Sequence, residues 1–273
     1  MKQRRFLRLS VGSVLGTLAL WLLLAPSIAQ ESVPASTQDT THAAVHAEAH
    51  NSAPLATARK VKRQQATKYL AIVDQPTFKE QQKVLADRTL KTLPSQCRTY
   101  LKNFYIRYDG SVQRGLGGKT TIMVNGTVSD SEFVGLLVHE CGHVTHGNLT
   151  GSSQSGASDF ADGQDIFYSD APVVRFFSIS WTTERVLRQD AAKEDFVSGY
   201  AQSDAFEDFA ETFTAYILHR DMLQERAQEN SAIAAKLHWM ETYFPLAENA
   251  LATDRYVWNG EIPWDATKLH IQL

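Results

Sequence analysis

Two histidines separated by four positions place the strongest constraint on how this chain can fold. They lie in the segment His139-Glu140-Cys141-Gly142-His143. Upstream, Ser129 and Glu132 have the spacing of a capping box, in which each side chain satisfies a backbone donor at a helix start. We therefore expect a helix from Asp130 to Gly147. Residues four apart on a helix lie about 40° apart around its axis, so both imidazoles can reach one ion.

This spacing predicts a single catalytic zinc ion. Imidazole is a preferred zinc ligand, and catalytic zinc sites combine three protein ligands with an open position for water. His139 and His143 would be two of the ligands, and Glu140 would accept the proton of the water. Gly142 has no side chain, which predicts close packing of another backbone on this helix. The competing interpretation is a pair of solvated or core histidines on an amphipathic helix.

His146 is one candidate for the third ligand. The metzincin pattern requires glycine three residues after His143 and a histidine three residues later, but these positions hold His146 and Leu149. We therefore interpret His146 as a helix-end residue, where a partly charged imidazole interacts favourably with the helix dipole.

A second predicted helix, from Asp204 to His219, offers a better candidate. Glu207 and Glu211 lie four residues apart on it and share one face. One carboxylate of such a pair can bind the metal, while the other hydrogen-bonds a ligand histidine. A pair of this kind is also typical of a solvated acidic face. In combination with the two histidines, it favours Glu207 as the third ligand and Glu211 as the partner of His139.

Both helices resemble those of the gluzincin metallopeptidases similar to anthrax lethal factor and the Pro-Pro endopeptidases. The resemblance lies in His139-Glu140-x-Gly142-His143 and in Glu207-x-Phe209-Ala210-Glu211-x-Phe213. That group also places a tyrosine seven residues before the ligand glutamate, which matches Tyr200. The resemblance covers residues 120–216. It implies a zincin-like fold, peptide hydrolysis and a hydrogen bond from Tyr200 to the developing oxyanion. Asp208 departs from the residue that some relatives have there.

The start of the chain has the pattern of a secretory signal. A basic stretch precedes an uncharged run from Leu9 to Ala25 and small residues at Ser27 and Ala29, which predicts a signal peptide over residues 1–29. The run of about 17 residues is close to the ~20 that span a bilayer, so an uncleaved membrane anchor is the alternative. Residues 30–66 are polar without an apolar period, which predicts a disordered linker. We expect a secreted or membrane-tethered protein.

The remaining residues, 67–273, predict one α+β domain with a small sheet on the histidine helix and a mainly helical second half. Helices are expected at Phe78–Leu93 and Leu223–Tyr243, and strands at Phe104–Tyr108 and Thr120–Val124. Gly115–Gly118 lacks the context of a phosphate loop, and we interpret it as a plain hairpin or loop connection. Trp258 and Trp264 are expected to pack down the irregular tail. The sequence does not decide whether Cys97 and Cys141 form a disulfide or remain buried thiols.

The expected function is that of a zinc-dependent endopeptidase acting on a peptide or protein substrate. An extended substrate is expected to pair with the edge of the strand Thr120–Val124. One alternative is a zinc hydrolase of cell-wall peptide, and another is a non-catalytic zinc-stabilised binding module. Glu140 argues against the module, because a structural site needs no base and has four protein ligands. A formal net charge of -3 gives no basic field for nucleic acid.

Overall fold

The computed structural model describes residues 68–246 and 259–273, which form a mixed α+β fold. The predicted signal peptide and linker lie outside these residues. The helices are α1 (Glu80–Thr92), α2 (Ser95–Tyr100), α3 (Asp130–His146), α4 (Pro172–Phe177), α5 (Ala205–Leu218), α6 (Arg220–Glu229) and α7 (Ser231–Tyr243). The strands are β1 (Asn103–Arg107), β2 (Gly115–Gly117), β3 (Thr121–Asn125), β4 (Ala157–Asp162), β5 (Asp165–Tyr168), β6 (Trp181–Thr183) and β7 (Val186–Leu187). Within the described ranges, no helix has the length and apolar composition required to cross a membrane.

A three-stranded sheet of order β1-β3-β2 packs beside α3. β1 runs parallel to β3 with Ile106 opposite Val124, and β2 runs antiparallel to β3 with Leu116 opposite Met123. Both predicted strands are confirmed to within one residue. The expectation that β3 offers an edge to a substrate is wrong, because β3 has a neighbour on each side.

One edge of this sheet is β2, which lies in the segment that the sequence had indicated to be a plain hairpin or loop connection, and β2 and β3 form an antiparallel hairpin. Two glycines in a three-residue strand have little intrinsic preference for extended structure, so local sequence does not reveal this strand. Its conformation depends instead on pairing with β3. The glycine-rich segment is therefore a strand next to the histidine helix.

The starts of α3 and α5 follow from their caps. Ser129 Oγ accepts a hydrogen bond from the Glu132 amide at 3.2 Å. The Glu132 carboxylate binds Arg114 at 2.6 Å, so the structure contains one half of the predicted capping box. Asp204 Oδ1 accepts bonds from the amides of Phe206 and Glu207 at 2.9 and 2.8 Å. Both helices are confirmed to within one residue of the predicted bounds.

Close packing holds α3 against α5. A Cβ added at Gly142 would lie 2.9 Å from the Cα of Ala210, which is too close for any side chain, so the expected backbone approach at Gly142 is confirmed. The residue before Gly142, Cys141, forms a disulfide with Cys97 that links α2 to α3. Both cysteines are buried, and the pairing that the sequence left open is present.

The predicted helix Leu223–Tyr243 is wrong as a single element. It is divided into α6 and α7 at Asn230, whose backbone is extended and whose Oδ1 accepts a bond from the Ile233 amide at 2.9 Å. Helical periodicity continues on both sides of Asn230, and for this reason the break was not predicted. Asparagine is nevertheless a preferred N-cap residue and is therefore a sequence signal for a helix start.

A buried ion pair joins α5 to α7. The side chains of Asp208 and Lys236 are both fully buried, with Lys236 Nζ 2.7 Å from Asp208 Oδ2. The same ammonium donates to the carbonyl of Asp195 at 2.7 Å, and Trp181 Nε1 donates to Asp208 at 3.0 Å. Burial raises the pKa of Asp208 and lowers the pKa of Lys236, because both charged forms lose hydration. These contacts fix Asp208, the residue directly after Glu207, to the core.

The tail is held by polar contacts. The amides of Gly199 and Tyr200 donate to the carbonyls of Pro263 and Trp264 at 2.8 and 2.7 Å. Ile271 donates its amide to Ser131 Oγ at 3.0 Å. Trp264 holds the tail through its carbonyl and through a contact of its ring with Gly199, but the residue is 73% exposed, so the expected packing is present only in part. Trp258 lies outside the described residues.

Candidate functional site

The histidine helix presents its predicted residues on one face. His139 Nε2 and His143 Nε2 lie 3.2 Å apart. His139 and Glu140 are buried and His143 is partly buried, and one ligand atom from each lies within 4.8 Å of the others. This group can hold a metal ion.

Glu207 brings a further oxygen to the same point from α5. Its Oε2 lies 3.1 Å from His139 Nε2 and 3.5 Å from His143 Nε2. Although these nitrogens are near, the buried Oε2 accepts no well-directed hydrogen bond. Burial opposes ionisation of Glu207, but the two imidazoles hold its pKa below its usual range. An oxygen that accepts no well-directed hydrogen bond, and that lies beside two imidazole nitrogens, is chemically suited to a cation.

The spacing of these three atoms is within about 0.2 Å of that around a tetrahedral metal ion. Bonds of about 2.0–2.2 Å place the ligands of such an ion roughly 3.3–3.6 Å apart, and the three separations here are 3.1, 3.2 and 3.5 Å. Glu140 can also be grouped with the histidines. Because Glu207 Oε2 approaches both imidazoles directly, we favour Glu207 over Glu140 as the third ligand.

Glu140 lies under strand β2. A Cβ added at Gly115 would be 1.9 Å from Glu140 Oε1, and one added at Gly117 would be 2.7 Å from Glu140 Oε2. The two glycines therefore make the space that the carboxylate occupies. Burial raises the pKa of Glu140, against the opposing effect of His139 and His143. The sequence predicted Glu140 as a base but not that β2 encloses it.

Glu211 is fully buried, and both of its oxygens have partners. Its Oε1 lies 2.9 Å from His139 Nδ1, which is the contact expected from the sequence. Its Oε2 accepts bonds from Ser198 Oγ at 2.5 Å and from the Ala266 amide at 2.7 Å. A carboxylate at Nδ1 favours the tautomer that leaves the Nε2 lone pair of His139 directed at the cluster. Neither contact was predicted from the sequence: Ser198 lies outside α5, 13 residues before Glu211, and Ala266 lies 55 residues after it.

Tyr200 lies in a 3₁₀ turn before α5. Its hydroxyl donates to Glu207 Oε1 at 3.2 Å. Burial and the neighbouring Glu207 charge raise the pKa of the hydroxyl, so Tyr200 stays a proton donor. The structure thus places Tyr200 at the cluster, in contact with the predicted ligand.

His146 is the last residue of α3, as expected, but its imidazole is not the partly charged group that the sequence indicated. It is 2% exposed, stacks on Phe206 with ring centroids 5.2 Å apart, and lies with its Nε2 3.1 Å from His143 Nδ1. Burial and the neighbouring His143 hold its pKa well below the usual range, so the imidazole is neutral. A neutral His146 can accept the Nδ1 proton of His143, as Glu211 does for His139.

Two cavities adjoin the cluster along β2. One, of about 350 Å³, is lined among others by Arg114, His139, Glu140 and Trp264. The other, of about 320 Å³, is lined among others by Leu116, His143, Asp162 and Glu207. Since His139, Glu140, Gly115 and Tyr200 line both, the candidate site opens to either side of Glu140.

Comparison of the chain with protein-family models, with curated proteins and with solved structures found no match. The function therefore has to be inferred from the chemistry of the site.

Proposed function

We propose that this chain is a zinc-dependent endopeptidase of the gluzincin type, with a zincin-like fold. The observation that carries the proposal is the convergence of His139 Nε2, His143 Nε2 and Glu207 Oε2 within 3.5 Å of one another, next to the buried carboxylate of Glu140.

Zinc suits these donors better than other common ions. His139, His143 and Glu207 provide two imidazoles and one carboxylate, a set known from catalytic zinc sites with an open position. Calcium and magnesium require mainly oxygen ligands and higher coordination numbers. When bound, zinc supplies a Lewis acid that polarises water and carbonyl oxygens.

Glu140 is the proposed general base. Its carboxylate takes the proton of the attacking water and delivers it to the leaving amine. Two features support this role: Glu140 lines both cavities, and its position between α3 and the glycines of β2 restricts its motion. A base held in this way is already oriented before the substrate arrives.

Tyr200 is the proposed donor to the oxyanion. Its hydroxyl borders both cavities and remains protonated, since burial raises its pKa. In this role the hydroxyl exchanges its contact with Glu207 for the substrate oxygen. A donor directed at the developing negative charge stabilises the transition state more than the ground state.

The edge of β2 is the proposed binding position for an extended peptide. β2 is hydrogen-bonded to β3 on one side, and among the described strands no other pairs with it. A peptide that adds to this edge by main-chain hydrogen bonds would pass close to Glu140. This replaces β3, which has no free edge.

We place this activity outside the cytoplasm, on a secreted or membrane-tethered protein, because residues 1–29 have the pattern of a secretory signal. The proposed partner is a peptide or protein, and nothing in the charge of the chain favours nucleic acid.

Cleavage of an unbiased peptide library by the zinc-loaded wild type and by Glu140→Gln tests the proposal. The amide has the shape of the carboxylate but cannot accept a proton, so the variant should fold, retain zinc and lose hydrolysis. Equal turnover by both proteins would refute the mechanism. Zinc binding without cleavage of any peptide would favour the non-catalytic module, and cleavage confined to cell-wall peptides would favour the other hydrolase.

A further inference from the structure

An exposed tryptophan borders the candidate active site. Trp264 is 73% exposed and lines the cavity of about 350 Å³ that also contains His139 and Glu140. It lines a second cavity, of about 780 Å³, together with Gly199 and Gln202. Leaving an indole in water sacrifices the free energy of burying a large apolar surface, so its position beside the catalytic cavity needs an explanation.

The backbone around Trp264 is firmly held. Its carbonyl accepts the Tyr200 amide at 2.7 Å, and the preceding carbonyl accepts the Gly199 amide at 2.8 Å. A Cβ added at Gly199 would be 2.6 Å from Cε3 of the indole, so the ring packs on the glycine backbone. An aromatic ring that is held by such a contact and is otherwise exposed loses little conformational entropy when a ligand covers it.

Most of the charged groups in the same cavity are engaged with protein partners. Arg114 pairs with Glu132 at 2.6 Å, contacts Asp265, and donates to Thr267 Oγ1 at 2.7 Å. Both oxygens of Glu211 are engaged. Apart from Glu140, which the proposed function assigns to the attacking water, the charged groups of this cavity have little capacity left to recognise a charged ligand, so the cavity favours a neutral one.

Other apolar side chains stand at the same opening. Val112, which lines the cavity with Trp264, is 99% exposed. Leu116, on the edge strand and in the adjoining cavity, is 55% exposed. A volume of about 350 Å³ is near the lower end of ligand pockets, roughly 300–1,000 Å³, and accommodates one large side chain with its adjoining peptide segment.

We propose that Trp264 is a specificity-determining residue that receives a large apolar side chain, aromatic or aliphatic, of the peptide substrate. This side chain would lie close to the bond that is hydrolysed, since Trp264 shares its cavity with Glu140. The proposal rests on the proposed function. It goes beyond it by naming the class of peptide that the site selects.

Product sequencing after digestion of a random peptide library tests this proposal. The wild type should enrich large apolar residues at one position near the cleaved bond. Trp264→Ala should reduce cleavage of those peptides by about 10 to 100-fold, the scale for truncating a central aromatic contact, and should abolish the enrichment. Tyr105→Ala is the matched control, because Tyr105 is an exposed aromatic on β1 that does not line either cavity at Glu140.

Trp264→Gln keeps a long side chain and removes the ring. If the alanine variant does not fold, this variant is used to test whether the enrichment of large apolar residues depends on the indole. Unchanged enrichment in the folded variant, or an equal fall for all peptides, would overturn the proposal.

A binding experiment separates this proposal from the proposed function. Immobilised Glu140→Gln protein should capture library peptides with the same apolar preference, and adding Trp264→Ala should remove that preference. If the wild type cleaves nothing but capture still depends on Trp264, the peptidase proposal fails and this one stands. If the wild type cleaves peptides but neither cleavage nor capture depends on Trp264, the peptidase proposal stands and this one fails. If the protein neither captures nor cleaves any peptide, both proposals fail.

Discussion

Gly115→Ala is expected to inactivate the protein without unfolding it. The added Cβ would lie 1.9 Å from Glu140 Oε1, whereas ordinary contacts begin near 3.4 Å. The carboxylate oxygen must therefore move by about 1.5 Å. The clash is with the end of the Glu140 side chain and not with backbone, so the carboxylate is expected to be forced out of the space that glycine leaves for it while β2 and α3 keep their positions.

The size of the effect follows from that displacement. Misplacing a catalytic group by about 1 Å can cost ~100-fold in rate, so a shift of about 1.5 Å should lower turnover by at least roughly 100-fold, or about 2.7 kcal/mol in the activation barrier. Zinc content and melting temperature should stay near those of the wild type, since neither the proposed ligands nor the core changes.

Gly118→Ala is the matched control for this experiment. A Cβ added at Gly118 meets no atom within 4 Å, so this variant should hydrolyse peptides at the wild-type rate. Steady-state kinetics on one peptide, with metal analysis and thermal unfolding in parallel, would measure the difference. Equal turnover by the two variants, or a loss at Gly115 explained by unfolding or missing zinc, would refute the reasoning.

Three further variants probe the surroundings of the site. Glu211→Ala removes the partner of His139 Nδ1 and should weaken zinc affinity or activity by roughly 10 to 100-fold; unchanged zinc dissociation would contradict this. Tyr200→Phe should lower the catalytic constant by ~10 to 1,000-fold at unaltered zinc content, and normal turnover would show that the hydroxyl is structural. Lys236→Met leaves Asp208 buried and unpaired and should cost about 3–5 kcal/mol in urea unfolding. The double variant with Asp208→Asn should lose less, and equal losses would argue against the ion pair.

The helices that carry the site were predictable because their signals are local. Ser129 and Asp204 cap the adjacent turns, and histidines four apart share a face wherever a helix forms. The α+β class and the strands β1 and β3 followed from periodicity in the same way. These features depend on residues that are close in sequence.

Contacts between distant segments were not predictable. The amide of Ala266 binds Glu211 across more than fifty residues, and main-chain amides carry no sequence signature. β2 becomes a strand only through pairing with β3. Trp264 was expected to pack down the irregular tail, yet it is largely exposed at the opening of the cavity.

One error came from applying a correct rule without the tertiary context. A histidine at a helix C-terminus interacts favourably with the dipole when it is charged and hydrated. His146 is instead enclosed by aromatic rings, including those of Phe206 and Phe209. The cost of burying the charge exceeds the dipole interaction, so the imidazole is neutral.

Metal analysis of the purified wild type and of Glu207→Ala tests the central claim most directly. The wild type should contain about one zinc ion per chain, and the variant should lose most of it while remaining folded, since Glu207 Oε2 completes the triangle of ligand atoms. Retention of about one zinc in Glu207→Ala, combined with its loss in Asp162→Ala or His146→Ala, would contradict the assignment of the third ligand. Absence of zinc from the wild type after loading would contradict the metal site itself.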